Sequence, residues 1–274
     1  MTGGGTLWLV TTPIGNLGDL TPRAIEVVSR VSLVCCEDTR RTGRLFHHVG
    51  IQAARLAVAN EHTEYHLIDE VLDLLGRGDD VAVVSDAGTP GISDPGAHLV
   101  TAAVNAGYEV SATPGPSAAI MALTISGLPT DRFVFEGFLP RSGRDRRQRL
   151  DEIAAETRTV VLYEAPHRIA RTIADLGDAC GSDRPVAIAR ELTKLHEEVQ
   201  RATLGTIELG QPRGEYVIVV GGASPDDTPI TDDMIIDSLK AEIAGGATTK
   251  DAVAAVAARL GQPKNRVYDL ALRR

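Results

Sequence analysis

The residues Ser85–Gly96 read SDAGTPGISDPG. They comprise three glycines, two prolines, two aspartates, two serines, a threonine and an alanine, with Ile92 as the one large apolar side chain. Such a stretch cannot pack a core. It can present backbone N–H and C=O groups, hydroxyls and carboxylates to a polar ligand. A Gly/Pro cluster usually marks a plain turn, but the length and polar density here point to a ligand loop. The residues just before it, Val81–Val84, are a short apolar run rich in β-branched side chains. That pattern reads as a strand buried on both faces of a parallel sheet. Open α/β sheets place ligands at the carboxyl ends of such strands.

The elements that must position this loop repeat along the first half of the chain. Apolar strands are expected at Leu7–Thr11, Ser32–Cys36, Arg55–Ala59, Val81–Val84 and Tyr108–Ala112, with helices between them. Thr21 reads as an N-cap followed by Pro22 at the first helical position, and Pro95 reads as another helix start. A β-α-β-α alternation predicts a mostly parallel sheet. The strands end in TTPIGN, CEDTRR, ANEH, SDAGTPGISD and ATPGPSA, so a parallel sheet gathers these polar segments on one edge. Beyond Thr113–Ser117, which reads as a hinge, strands are expected at Phe133–Phe135, Arg158–Tyr163, Pro185–Ala189, Glu197–Thr203 and Glu215–Val220. Their closer spacing predicts a mixed sheet in which the last two could pair. Gly221–Pro229 reads as a linker. The remainder is helical, with Thr248 or Thr249 as a cap, a turn at Gly261 and a last helix from Pro263. This tail is either a helix-turn-helix carrying Lys264 and Arg266 or a small helical cap.

Several chemistries lack their signatures. No GxGxxG follows the first strand, and there is no GxxxxGK[ST] phosphate loop. Ser117 sits in GPSAA rather than in a nucleophile elbow. His62 and His66 are one helical turn apart but have no evident third metal ligand, and His47-His48 is no more informative. Cys35-Cys36 lies in an apolar strand and reads as core. A polar sheet edge with no metal, nucleophile or phosphate-loop signature suits a ligand that brings its own reactivity.

The 274 residues are 43% apolar and 24% charged, with a formal net charge of −9. That balance is ordinary for a soluble protein and argues against a protein coated in nucleic acid. Two local basic clusters stand out: Arg40, Arg41 and Arg44, and the denser Arg141, Arg144, Arg146, Arg147 and Arg149. Either could be a solvated helix face or a phosphate contact. Cys35, Cys36 and Cys180 form no metal-type pair, and no apolar run approaches the ~20 residues of a membrane span. A reduced, cytoplasmic protein is expected.

LVTTPIGNLGDLTPRA (Leu9–Ala24), CEDTRRTGRL (Cys36–Leu45), SDAGTPGISDPG, PGPSA (Pro114–Ala118), FEGFLPR (Phe135–Arg141), YEAPHR (Tyr163–Arg168), ARELTKLHEE (Ala189–Glu198) and GEYVIVV (Gly214–Val220) together resemble one family. It is the bacterial small-subunit rRNA (cytidine-2′-O)-methyltransferases, within the tetrapyrrole methylase-like superfamily. The resemblance implies a two-domain α/β fold with a mostly parallel N-terminal sheet and a mixed C-terminal sheet, plus a helix-turn-helix-like tail, with boundaries at 1–114, 115–222 and 223–274. It implies S-adenosylmethionine as cofactor, 16S rRNA in the small ribosomal subunit as partner, a homodimer and no metal. Carried onto this chain, Pro13, Asp86, Gly88, Thr89, Pro90, Gly91 and Ile92 would hold the cofactor from the first domain. Ser117 and Ala118 would meet it at the hinge, and Tyr163, Leu192 and Glu215 from the second domain. A ribose hydroxyl needs help to lose its proton, for which Glu37, Asp38, Glu61, Asp86 and Lys194 are candidates. Arg40, Arg41, Arg44, Arg141, Arg144, Arg146, Arg147 and Arg168 are expected at RNA phosphates. Two other readings remain at this stage: a methylase of a tetrapyrrole, and a ligand-sensing DNA-binding regulator resting on the tail.

Overall fold

Strand β4 (Val81–Val84) is fully buried, as its unbroken β-branched run requires, and it lies at the centre of a five-stranded sheet. The computed structural model describes residues 4–52, 55–60, 63–224, 231–260 and 264–272. The sheet also contains β1 (Thr6–Val10), β2 (Leu33–Cys36), β3 (Leu56–Val58) and β5 (Glu109–Thr113), in the order β3-β2-β4-β1-β5 with every pair parallel. Its crossover helices are α1 (Pro22–Arg30), α2 (Thr39–His48), α3 (Glu64–Gly76) and α4 (Ala97–Asn105). Thr21 caps α1 by accepting the Ala24 N–H, with Pro22 following. Cys35 and Cys36 are core residues, and burial pushes the Cys35 thiol up to about 12.

The α4 start falls at Ala97 rather than Pro95, and its capping is non-local. Gly96 has no side chain to cap with. Glu64 on α3, only 2% exposed, instead accepts the Gly96 and Leu99 N–H groups with one carboxylate oxygen, at 3.1 and 2.9 Å. A negative charge at a helix N-terminus is favourable, and here it also anchors the end of the Ser85–Gly96 loop.

Helix α5 (Ala118–Ile125) leads into the second sheet, made of β6 (Phe133–Phe138), β7 (Thr159–Glu164), β8 (Pro185–Arg190), β9 (Glu198–Thr203) and β10 (Tyr216–Val220). Helices α6 (Gly143–Ala155) and α7 (Ile169–Cys180) complete this half. The strand order is β6-β7-β10-β8-β9; β6 and β7 are parallel and the other pairs antiparallel. The expected pairing of the last two strands does not form, because β8 lies between them. The reason is burial. All five residues of β10 are buried, whereas EVQRAT of β9 is half-exposed and polar. The apolar run takes the centre and the polar strand the edge. Ile14, from the loop after β1, joins Ala119, Ala122, Leu123, Val161, Leu192 and Val217 in one apolar cluster, which ties the first sheet's loops to the second sheet.

These elements form one compact unit up to Ala223, and a second begins at Ser224. The second unit holds α8 (Asp232–Ala244), α9 (Thr249–Arg259) and α10 (Lys264–Leu272), packed around Ile235, Leu239, Val253, Val256 and Val267. Thr231 and Thr248 are the N-caps. Gly261 and Pro263 lie outside the described residues. No helix among the described residues is long and apolar enough to cross a membrane.

Candidate active site

The Ser85–Gly96 loop follows β4 and is pinned on several sides. Thr12, just after β1, exchanges two backbone hydrogen bonds with Gly88, at 3.0 and 3.1 Å. The Thr12 hydroxyl donates to the Ser85 carbonyl and the Ser85 hydroxyl to the Gly88 carbonyl. Gly88 has φ +88, and a Cβ there would lie 3.3 Å from Ile14 Cγ2. At the far side, Gly137 sits at a β-bulge in β6 with φ +60, and a Cβ there would lie 3.0 Å from Ser93 Oγ. The missing side chain lets the second sheet approach the loop.

Between the two halves is a cavity of about 410 Å³. From the first half Ile14, Glu37, Arg41, Asp86, Gly88, Thr89, Ile92 and Asp94 line it; Ser117 and Ala118 close one side. From the second half come Phe138, Tyr163, Glu164, Glu191, Leu192, Lys194 and Glu215. The Tyr163 hydroxyl accepts the Ala119 N–H at 3.3 Å, and its ring packs edge-on against Phe135. Burial raises the Tyr163 phenol above its ordinary range. The loop after β8 has Glu191 at φ 51 and Thr193 at φ 66. The Asn16 N–H donates to the Thr193 hydroxyl at 3.1 Å, and this bond joins the loops after β1 and β8.

The interior is acidic. Glu37 accepts the Asp86 N–H at 2.9 Å, and burial raises its carboxyl above the usual range. Asp86 pairs with Arg41 at 3.0 Å through one oxygen, while its buried Oδ1 has no hydrogen-bond partner among the described residues. Asp94 is pushed up to about 7, first by burial and then by the charges of Glu37, Glu215 and Asp86. A carboxyl whose pKa rises on folding makes the fold less stable as pH climbs from its unfolded value towards about 7. Asp94→Asn is therefore expected to raise the melting temperature at pH 8 more than at pH 5; a shift of equal size at both pH values would contradict this.

Most sequence-expected cofactor residues meet at this cavity: Asp86, Gly88, Thr89, Ile92, Ser117, Ala118, Tyr163, Leu192 and Glu215 all line it. Pro13, Pro90 and Gly91 do not; Pro13 and Pro90 are buried, and the Gly91 N–H donates to the Pro95 carbonyl within the loop. Among the proton-acceptor candidates, Glu37 and Lys194 line the cavity, Lys194 as a cation paired with Glu191 at 2.8 Å. Asp38 does not line it. It caps α2 by accepting the Arg40 and Arg41 N–H groups, and the Arg40 guanidinium holds its carboxyl down at about 2. Glu61 and His62 lie outside the described residues.

The arginines divide. Arg44, Arg141, Arg144 and Arg147 are exposed and form no ion pair with a described residue. Arg146 is not available to phosphate. It is 3% exposed and donates to Asp175, the Pro140 carbonyl and the Thr172 hydroxyl. Arg168 is also engaged, with Glu164 at 3.2 Å and the Leu139 carbonyl at 2.6 Å. Sequence reasoning missed Ile14, Phe138, Glu191 and Asp94. Asp94 belongs to the same SDAGTPGISDPG motif as Asp86, but it lines the cavity together with residues of the second sheet, which pattern alone does not place.

The profile of the family Tetrapyrrole (Corrin/Porphyrin) Methylases matches residues 6–208, and that of the RsmI C-terminal HTH domain matches residues 232–274. A Synechocystis protein named ribosomal RNA small subunit methyltransferase I is 45% identical, covering 98% of both chains. Proteins of the same name from Pseudomonas aeruginosa (44%, 98% of both chains) and Mycobacterium tuberculosis (41%, 98% of this chain and 95% of that one) are also similar. Among solved structures, the methyltransferase CobJ superposes with a TM-score of 0.62 at 20% identity, covering 81% of this chain and 95% of that one. The uroporphyrin-III C-methyltransferase from Thermus thermophilus gives 0.54 at 20%, covering 79% and 94%.

The methyl donor of this family is S-adenosylmethionine, whose sulfonium carries an activated methyl group. The cavity fits it: Glu37, Asp86, Asp94 and Glu215 meet a cation, the unpartnered Asp86 Oδ1 awaits a donor, and Tyr163, Leu192 and Ile92 supply apolar wall. The helical tail matches a helix-turn-helix profile, which decides between the two expectations for it. On these grounds the chain belongs to the tetrapyrrole (corrin/porphyrin) methylases and is a methyltransferase of the ribosomal RNA small subunit methyltransferase I branch.

Proposed function

We propose that this chain transfers a methyl group from S-adenosylmethionine to the 2′-hydroxyl of a cytidine in 16S rRNA of the small ribosomal subunit. The observation that carries this reading is the division of charge. The cavity is acidic inside, which suits a cationic donor, while free arginines lie on elements leading away from its wall. Helix α2 brings Arg41 to the cavity and Arg44 three residues on; β6 brings Phe138 to it, and Arg141, Arg144 and Arg147 follow. An anionic polymer would be gathered by these arginines and kept from the acidic interior, apart from the nucleotide that reacts.

In this arrangement Tyr163, Leu192, Ser117 and Ala118 hold the donor's nucleoside, and the Asp86–Thr89 backbone with Asp86 holds its amino-acid end. Orienting donor and acceptor in one dry cleft supplies much of the catalysis. The resemblance to the rRNA (cytidine-2′-O)-methyltransferases further supports a homodimer working in the cytoplasm. Light scattering at twice the chain mass supports the dimer; a monomer mass overturns it.

The test of the acceptor is nuclease digestion of small-subunit rRNA after reaction, with nucleosides resolved by mass spectrometry. The expected product is 2′-O-methylcytidine; a base-methylated nucleoside overturns the ribose assignment. Arg144→Ala/Arg147→Ala is expected to weaken RNA binding about tenfold at moderate salt. It should also flatten the log–log salt dependence by roughly 0.7 for each phosphate no longer neutralised, with donor affinity unchanged. An unchanged salt slope would remove these two arginines from the interface.

A further inference from the structure

Leu195 is 93% exposed, more than any other large apolar side chain among the described residues. A lone exposed leucine is ordinary. What sets this one apart is a backbone built to hold it out. Two successive turns carry it: the Lys194 N–H donates to the Glu191 carbonyl at 3.0 Å, and the Glu197 N–H to the Lys194 carbonyl at 3.1 Å. The second turn has Leu195 and His196 at its tip. Glu191 and Thr193 adopt φ 51 and φ 66, a costly conformation for residues other than glycine. The Thr193 N–H donates to the Glu197 carboxylate at 2.7 Å, and the Thr193 hydroxyl accepts the Asn16 N–H. Leu17, also exposed, follows Asn16, so each of the two joined loops carries an apolar side chain in water.

The place of this knuckle links it to the substrate. Lys194, one residue before Leu195, lines the cavity while its side chain still reaches water, so it stands at the cavity's mouth with Leu195 outside it. We propose that Leu195 is a wedge that fills the gap left in the RNA stack when the acceptor nucleotide swings into the cavity. The proposal rests on the RNA-acceptor reading above. A nucleotide in folded rRNA reaches a donor held in a cleft only by leaving its neighbours. Apolar side chains, leucine among them, insert between base steps in proteins that unstack and kink DNA. An aliphatic wedge meets any base, so it tolerates whichever bases flank the acceptor. The arginines gather phosphates; Leu195 acts on the bases.

A protein seated permanently on Leu195, a second copy of this chain included, would obstruct the mouth through which the nucleotide enters. The substrate arrives and leaves with each turnover and obstructs nothing. The neighbouring acids are engaged: the Glu197 carboxylate accepts the Thr193 N–H, and Glu198 pairs with Arg190. That lowers their repulsion of a passing phosphate. Rigidity serves the same end, because a wedge on a yielding loop would not hold a stack open.

Methyl transfer to unmodified small ribosomal subunits reads this in kcat. Leu195→Ala should lose about 10–100-fold, the scale of one lost contact to a base. Its donor affinity should be that of wild type, and its melting temperature within about 2 °C. Leu195→Met, a wedge of similar volume, should recover most of the rate. The salt slope of subunit binding should not move in either variant, since no phosphate contact is lost. A photocrosslinking residue, p-benzoylphenylalanine in place of Leu195, should join rRNA at nucleotides adjacent to the methylated one. A kcat within about twofold of wild type in Leu195→Ala, no recovery in Leu195→Met, or crosslinks confined to protein, a second copy of this chain included, would each overturn the assignment. Should the wild-type protein leave rRNA unmethylated, the acceptor reading fails, and the crosslink still decides whether Leu195 meets RNA.

Discussion

Arg146→Ala should lower the stability of the α/β unit by about 3 kcal/mol, whereas Arg147→Ala, one residue away, should stay within about 0.5 kcal/mol. The difference lies in what each guanidinium touches. Arg146 on α6 meets Asp175 and Thr172 on α7 and the Pro140 carbonyl. The Thr172 hydroxyl donates to Glu164 at 2.6 Å; Glu164 in turn pairs with Arg168, which donates to the Leu139 carbonyl. Removing one member of a buried charged network strands the others. Asp175, 28% exposed, can regain water, so the loss falls at the low end of the range for buried pairs. The melting temperature should drop by roughly 6–12 °C for a unit of this size. Arg146→Lys keeps the charge but not the planar fork, and should recover only part of the loss. A melt unchanged in Arg146→Ala would show that the network contributes nothing.

Gly88→Val should remove donor binding at concentrations tenfold above the wild-type dissociation constant. Gly88 adopts φ +88, where a β-branched residue is strained by about 1–3 kcal/mol. Its Cβ would also crowd Ile14 Cγ2, itself part of the cluster joining the loop after β1 to the second sheet. Relief requires the loop to leave the two Thr12 hydrogen bonds, which displaces Asp86 and Thr89 from the cavity wall. Gly88→Ala meets the same φ without branching and should lose less. Calorimetric titration with S-adenosylmethionine checks both. Wild-type affinity in Gly88→Val would mean that this turn does not shape the site.

Much of the site was legible because it is local. A polar loop after each apolar strand is a property of short segments, and in a parallel sheet those loops share one edge. The ligand loop at Ser85–Gly96 follows from that reasoning; Asp86, Gly88, Thr89 and Ile92 as its cofactor contacts are what the family resemblance implies. What failed depended on burial set elsewhere in the chain. The polarity of β9 sends it to the edge and brings β8 between it and β10, an order that pairing of neighbours in sequence does not anticipate. Arg146 looked like its basic neighbours, yet it lies four and seven residues before Leu150 and Ile153, both buried. That spacing puts it on the inner face of α6, and was the available signal. Asp94 gave no such signal, since its neighbours Glu37 and Glu215 come from other strand ends.

The central claim is that an acidic cleft presents a methyl donor to RNA gathered by arginines outside it. Its most direct test is transfer of a tritiated methyl group from S-adenosylmethionine, with unmodified small ribosomal subunits and uroporphyrinogen III offered in parallel. Label in the rRNA, absent with Gly88→Val and absent from the tetrapyrrole, is the predicted result. Label in the tetrapyrrole with none in the rRNA would contradict it.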